Sequence, residues 1–166
     1  HHETEMILAE KIGLGNYCDF WMHNGLMEDA EGKLSKSRGE RITLEKVFKD
    51  CPPAALRFYL LTHHYRDFTP YSPEGLLEAC QEGERLGINA VDCMIVEPTN
   101  PNDDEEMALL VSKFEAALDD DLDTPKALDV LRELDVIAGE RLKNKGDIGP
   151  ISGMYSLFQC VLGVFS

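Results

Sequence analysis

Lys33-Leu34-Ser35-Lys36-Ser37 places two ammonium groups and two hydroxyls within five positions, with Gly32 before it and Arg38-Gly39 after it. Glycine admits backbone angles that other residues avoid, so the expectation is a loop able to close. Two cations on such a loop can neutralise charge that develops on an anion during a reaction. Phosphate transfer is the chemistry that draws most on this kind of stabilisation. A solvated basic surface loop is the commoner use of such a run.

Other residue sets carry chemistry of their own. His1 and Glu5 stand four apart on a predicted helix, so both side chains leave the same face. Imidazole and carboxylate both ligate zinc, and this spacing can supply two corners of a tetrahedron; a surface ion pair is the commoner outcome. His63-His64-Tyr65-Arg66 follows an amphipathic segment. It can hold a phosphate or a ribose, or simply place cations at a helix end where the dipole favours them. Trp21 and His23 can flank a flat ring or small substrate, although a lone tryptophan in an apolar run usually belongs to a core. Asp119-Asp120-Asp121 with Asp123 lacks a calcium-loop glycine pattern and reads as a charged helix end.

The elements that must position these groups follow from periodicity and turn chemistry. Residues 3–12 read as a helix stopped by Gly13 and Gly15. The aromatic-rich run from Tyr17 to Met27 reads as a short buried strand that carries Trp21 and His23 up to the lysine loop. Thr43 resembles an N-cap for a helix beginning at Leu44. Pro52-Pro53 opens the next helix, and Thr69-Pro70-Tyr71-Ser72-Pro73 has the composition of a linker. Four helices are then expected. The first is capped by Ser72 and reaches about Val96, and the second begins at Asp103-Asp104 with Met107, Leu110, Val111, Phe114 and Leu118 on one face. The third is capped by Thr124-Pro125 and its apolar set includes Leu128, Leu131, Leu134 and Val136, while residues 151–165 form the fourth. Short polar connections between them make an α-helical bundle.

At 166 residues the chain can build one real core or two small ones. No apolar run approaches the roughly 20 residues that cross a bilayer. The opening residues are polar and include no initiator methionine, which reads as a portion of a longer polypeptide. Five scattered cysteines, with no C-x-x-C pair, suit reduced thiols in a cytoplasmic protein. A net charge of −15 argues against a general nucleic-acid binder, and the acidity is concentrated in the second half.

Taken together and in order, these segments resemble cysteinyl-tRNA synthetases, a family of class I aminoacyl-tRNA synthetases. His1-His2-Glu3-Thr4-Glu5 is similar to the family's HHExE segment, and Trp21-Met22-His23-Asn24-Gly25 to the stretch before its signature loop. Lys33-Leu34-Ser35-Lys36-Ser37 matches KMSKS with Leu in place of Met, a volume-conserving change. Pro53 to Phe58 and Thr62 to Arg66 match the segment that follows, and Phe114 to Pro125 resembles the helical DALR domain.

The resemblance implies a mainly α fold: the C-terminal end of a class I α/β nucleotide-binding catalytic domain, then an all-α DALR-like bundle. The expected division is 1–50 for the end of the catalytic domain, 51–72 for a connecting segment facing the tRNA stem, and 73–166 for the bundle. It implies a zinc that binds the thiol of cysteine, with His1 and Glu5 as two of four protein ligands and two cysteines earlier than His1 as the others. A soft metal separates cysteine from serine by ligand chemistry, where pocket size separates them poorly. It also implies ATP, with magnesium, as a substrate. Lys33 and Lys36 would steady the phosphates, with Lys36 contacting ATP, while Ser35 and Ser37 shape the loop. Arg57 and His64 to Arg66 would face the tRNA acceptor stem. The implied partners are cysteine tRNA, L-cysteine and ATP, with no membrane. The family's HIGH motif is not in this sequence, so the chain by itself is expected to be inactive. Two alternatives stay open: a mycothiol-pathway ligase that joins cysteine to an amino sugar, and a non-catalytic helical interaction module.

Overall fold

The structure, a computed structural model, describes residues 2–15, 18–29, 32–33 and 43–165. His1, Ser35, Lys36 and Ser37 lie outside the described residues, as does Tyr17. Helix α1 spans His2–Lys11, and Gly13 and Gly15, with φ of 78° and 67°, turn the chain away from it. Strands β1 (Met27–Asp29) and β2 (Gly32–Lys33) form an antiparallel pair. Helices α2 (Leu44–Asp50) and α3 (Pro53–Leu61) follow, then strand β3 (Thr69–Pro70), which runs parallel to β1. The sheet order is β2-β1-β3.

The second half is helical. It contains α4 (Pro73–Met94), a 3-10 turn at Pro101–Asp103, α5 (Glu105–Asp119), α6 (Thr124–Asn144) and α7 (Gly149–Leu162). Local chemistry accounts for most of the starts. The Thr43 hydroxyl accepts the Lys46 N–H at 3.4 Å, and the Ser72 hydroxyl accepts the Gly75 N–H at 2.9 Å. Asp104 accepts from both Glu106 and Met107 N–H at 3.1 Å. Its carboxylate is also gripped by Arg141 from the far end of α6, which ties that end to the head of α5. Lys145, in the left-handed conformation, ends α6, and the Gly146 N–H reaches back to the Arg141 carbonyl at 2.9 Å.

One continuous core runs from Val47 of α2 through Phe58 and Tyr59 of α3 to the inner faces of α4 to α7. Phe114 and Phe158 meet at 4.5 Å between centroids, and Leu128, Leu131, Leu134 and Met154 are wholly enclosed. Asp135 is the one buried carboxylate among the described residues, and it accepts from Arg85 Nη1 at 2.8 Å and Asn89 Nδ2 at 3.0 Å. No described helix is long and apolar enough to cross a membrane.

Four expectations need correction. Cys18 to Leu26 is not a buried strand: it has no regular structure, and Phe20 is 90% exposed. A strand needs a ladder partner as well as apolar side chains, and backbone pairing here begins only at Gly25. The proline-rich segment at 69–73 is more than a linker. Its first two residues form β3, and the helices on either side of it, α3 and α4, pack closely. Helix α6 is capped by Asp123, whose carboxylate accepts the Lys126 N–H at 3.0 Å, and not by Thr124. Val136 points outward, leaving Leu134 and Ala138 to line the core on either side of it.

Candidate active-site segment and its clamp

Helix α1 brings His2 against the irregular segment before β1. The His2 and His23 rings stack at 4.7 Å with their Nδ1 atoms 2.9 Å apart, a distance at which one nitrogen donates and the other accepts. Trp21 completes the group, 5.7 Å from His2 and stacked nearly parallel to His23 at 6.3 Å. With Glu3 and Met6 these residues line an open cavity of about 300 Å³. Trp21 and His23 thus lie side by side on an irregular segment, with a third ring, His2, that sequence reasoning passed over. Its signal was its place directly after His1 in the sequence.

Glu5 lies on α1, exposed and outside the lining of that cavity. Among the described residues no three His, Cys, Asp or Glu side chains converge as a metal site. The five cysteines are all free, with Cys51 and Cys93 buried, Cys80 half-buried, and Cys18 and Cys160 exposed. Desolvation lifts the Cys93 thiol to about 11, so it is an inert core group. Lys33 is the last residue of β2 and pairs with Glu28 of β1, which puts the start of the lysine loop on the rim of the sheet. The remaining loop residues, Ser35, Lys36 and Ser37, and the ligand candidate His1 fall outside the described residues.

The backbone around β1 is held from one side by residues 65–71. The Gly25 N–H donates to the Tyr65 carbonyl at 2.6 Å, Thr69 N–H to Leu26 at 2.9 Å, and Tyr71 N–H to Glu28 at 2.6 Å. Gly25 is required by this approach: a Cβ there would fall 1.8 Å from the Asp67 carbonyl oxygen. On α3, the Tyr59 hydroxyl donates to the Pro70 carbonyl.

His64, Tyr65 and Arg66 converge on one residue of the α5–α6 turn, Asp121. Its carboxylate accepts from Tyr65 Oη at 2.6 Å, Arg66 Nε at 2.5 Å and Arg66 Nη2 at 3.0 Å. His64 Nε2 stands 3.1 Å from the Asp121 carbonyl, which can only accept, while His64 Nδ1 accepts the Arg66 N–H at 3.3 Å. These two contacts together assign the proton to Nε2. Hydrogen bonds from Arg66, then Tyr65, hold the Asp121 carboxyl down at about 2. The same contact raises Tyr65 and Arg66. The anion met by this cluster is thus a carboxylate of the chain itself. Nor does the acidic run stand as bare charge, since Lys126 pairs with Asp120 at 2.9 Å and Asp123 at 2.8 Å. Arg57, on α3, is exposed and lies beside Gly163 at the end of α7.

Comparison with known proteins matches two family models to the chain. Residues 1–81 match the family model described as tRNA synthetases class I (C) catalytic domain, and residues 113–166 match the DALR domain. The chain is 35% identical over 169 residues to the cysteine–tRNA ligase of Paenarthrobacter aurescens, an alignment covering 100% of this chain and 34% of that protein. The chain belongs to the cysteinyl-tRNA synthetase family. It is also 28% identical over 190 residues to the cysteine–tRNA ligase of Pelobacter propionicus, covering 100% of this chain and 38% of the relative. With that of Persephonella marina it shares 34% over 156 residues, 88% of this chain and 32% of the relative. The chain thus spans about a third of the length of the curated relatives it matches. For a cysteinyl-tRNA synthetase family member, the mainly helical fold with a small mixed sheet is the end of the class I catalytic domain followed by the DALR domain.

Proposed function

We propose that this chain is part of an enzyme that ligates cysteine to its cognate tRNA through an ATP-derived cysteinyl-adenylate. What supports the reading is that both family models and the curated cysteine–tRNA ligases align along the chain in one order. In the first step a carboxylate oxygen of cysteine attacks the α-phosphorus of ATP. The bond from that phosphorus to the bridging oxygen breaks, and pyrophosphate leaves. In the second step a hydroxyl of the terminal tRNA ribose attacks the acyl carbon, and AMP leaves.

Within this scheme Lys33 and Lys36 offset the charge that builds on the phosphates, with Lys36 on ATP itself. Ser35 and Ser37 shape the loop, and magnesium accompanies ATP. His1 and Glu5, a nitrogen and an oxygen donor four positions apart in the sequence, suit two of the four positions around zinc. When bound, zinc would supply a soft Lewis acid that favours a thiolate over a hydroxyl. His2, Trp21 and His23 wall the open cavity beside α1. We assign residues 1–50 to the catalytic end, 51–72 to the connection towards the tRNA stem, and 73–166 to the helical unit. The setting is the cytoplasm, with cysteine tRNA, L-cysteine and ATP as partners.

The deciding experiment supplies the complete polypeptide carrying this chain with ATP, cysteine and either cysteine tRNA or an amino sugar. Cysteine attached to tRNA supports the reading. Transfer to the amino sugar alone points to the mycothiol-type ligase, and no cysteine-dependent pyrophosphate exchange points to a helical interaction module.

A further inference from the structure

The clamp on Asp121 links the two family segments at a single side chain. Asp121 and Leu122 both have positive φ, 55° and 57°, which is rare for residues that carry a Cβ and costs energy at each. A turn strained at two successive residues needs something that holds it. Here the strain aims the Asp121 carboxylate at Tyr65 and Arg66, which lie 56 and 55 positions earlier in the chain. Those residues continue into β3, and β3 pairs with β1 at Met27 opposite Thr69 and Glu28 opposite Pro70. On its other edge β1 pairs with β2, which ends at Lys33. Just before β1, the Gly25 N–H bonds the Tyr65 carbonyl, four residues from Trp21 and two from His23.

We propose that Asp121 is a positioning residue: from the α5–α6 turn it holds residues 64–66, and through β3 it fixes β1, the base of the lysine loop and the Trp21–His23 wall. The proposal rests on the functional reading above for what those elements do, and on geometry alone for the clamp. Asp121 touches no reacting atom. Its effect reaches the site through three backbone hydrogen bonds, whose donors are Gly25, Thr69 and Tyr71. The short strands of this sheet have few ladder bonds of their own, so an external tether decides how often they open.

Asp121→Asn is the test. Asparagine tolerates the left-handed conformation and keeps the shape, but removes the charge. Hydrogen exchange on the chain should show the Gly25, Thr69 and Tyr71 amides losing about tenfold or more in protection. The amides of Leu131 and Leu134 in the middle of α6 should be unchanged. Tyr65→Phe, which removes one of the bonds, should give a smaller change in the same amides. Asp121→Asn combined with Arg66→Gln should be no worse than either alone, because both break one contact. Wild-type protection of the three amides in both Asp121→Asn and Tyr65→Phe would overturn the proposal. In the complete enzyme, cysteine-dependent pyrophosphate exchange should lose about fivefold in turnover with the KM for ATP changing less than twofold, the pattern of a lost transition-state alignment. Full turnover despite lost protection would refute a positioning role. A wild-type enzyme that makes no cysteinyl-adenylate would sink the functional reading instead, and the amide rates would still judge the clamp.

Discussion

Phe58→Ala tests whether the first family segment and the helical unit fold as one body. Phe58 stands on α3, within the first family segment, yet is 1% exposed in the same core as α4 to α7. Truncating a fully buried phenylalanine removes its transfer energy and leaves a cavity, together about 3–5 kcal/mol. Domains of this size hold about 5–15 kcal/mol in total, so about a fifth or more of the stability is at stake. The melting temperature should fall by about 6–20 °C, at roughly 2–4 °C per kcal/mol for a chain of this length. The assay is urea unfolding followed by two probes. Ellipticity at 222 nm reports mainly on the helices of the bundle, and emission from Trp21, the only tryptophan, reports on the segment before β1. One cooperative body predicts that both transitions move together to lower urea. A shift in Trp21 emission with the helical transition left in place would refute the shared core, as would a loss under about 1 kcal/mol.

Gly25→Ala should unseat β1 from residues 65–67, because the new methyl would fall on the Asp67 carbonyl. Trp21 emission should change while the helical melt stays within a few degrees, and in the complete polypeptide cysteine-dependent pyrophosphate exchange should drop at least tenfold. Tyr155→Phe should be neutral or mildly stabilising on denaturant titration, because the buried Tyr155 hydroxyl makes no hydrogen bond of ordinary geometry. Acid should weaken the fold in a defined window. Asp121 lies at about 2 against an ordinary 3.8, and Asp104 and Asp123 are lowered too, chiefly by hydrogen bonds from Arg141 and Lys126. Folded values below unfolded ones mean the contribution is complete above the ordinary value and is lost as pH falls through the folded one. Melting temperature should hold from pH 7 to about 5, then fall between about 4 and 2, and Asp121→Asn should remove part of that fall.

Much of the fold was legible because its chemistry is local. Thr43, Ser72 and Asp104 cap helices with their own side chains, and the apolar faces of α4 and α5 repeat at helical spacing. Cys18 to Leu26 misled because aromatic residues favour strands only where a partner strand and a covering face exist, and neither is visible in a linear pattern. The lysine loop was read from residue type alone, and Ser35 to Ser37 lie outside the described residues. The meeting of His2, Trp21 and His23 could not be read that way, since it depends on how α1 is laid against the chain some 20 residues later. Asp121 was hidden more deeply. It sits in an acidic run that reads as solvated, its left-handed backbone has no glycine to announce it, and its partners belong to the other family segment. The complementary signs of the two clusters were the only hint.

The most direct test of the account is cysteine-dependent exchange of pyrophosphate into ATP by the complete polypeptide, with and without Lys36→Ala. Exchange should require cysteine, and turnover should fall by about a hundredfold or more when the loop cation is removed. Exchange that runs at the wild-type rate without the Lys36 ammonium, or that does not depend on cysteine, contradicts it.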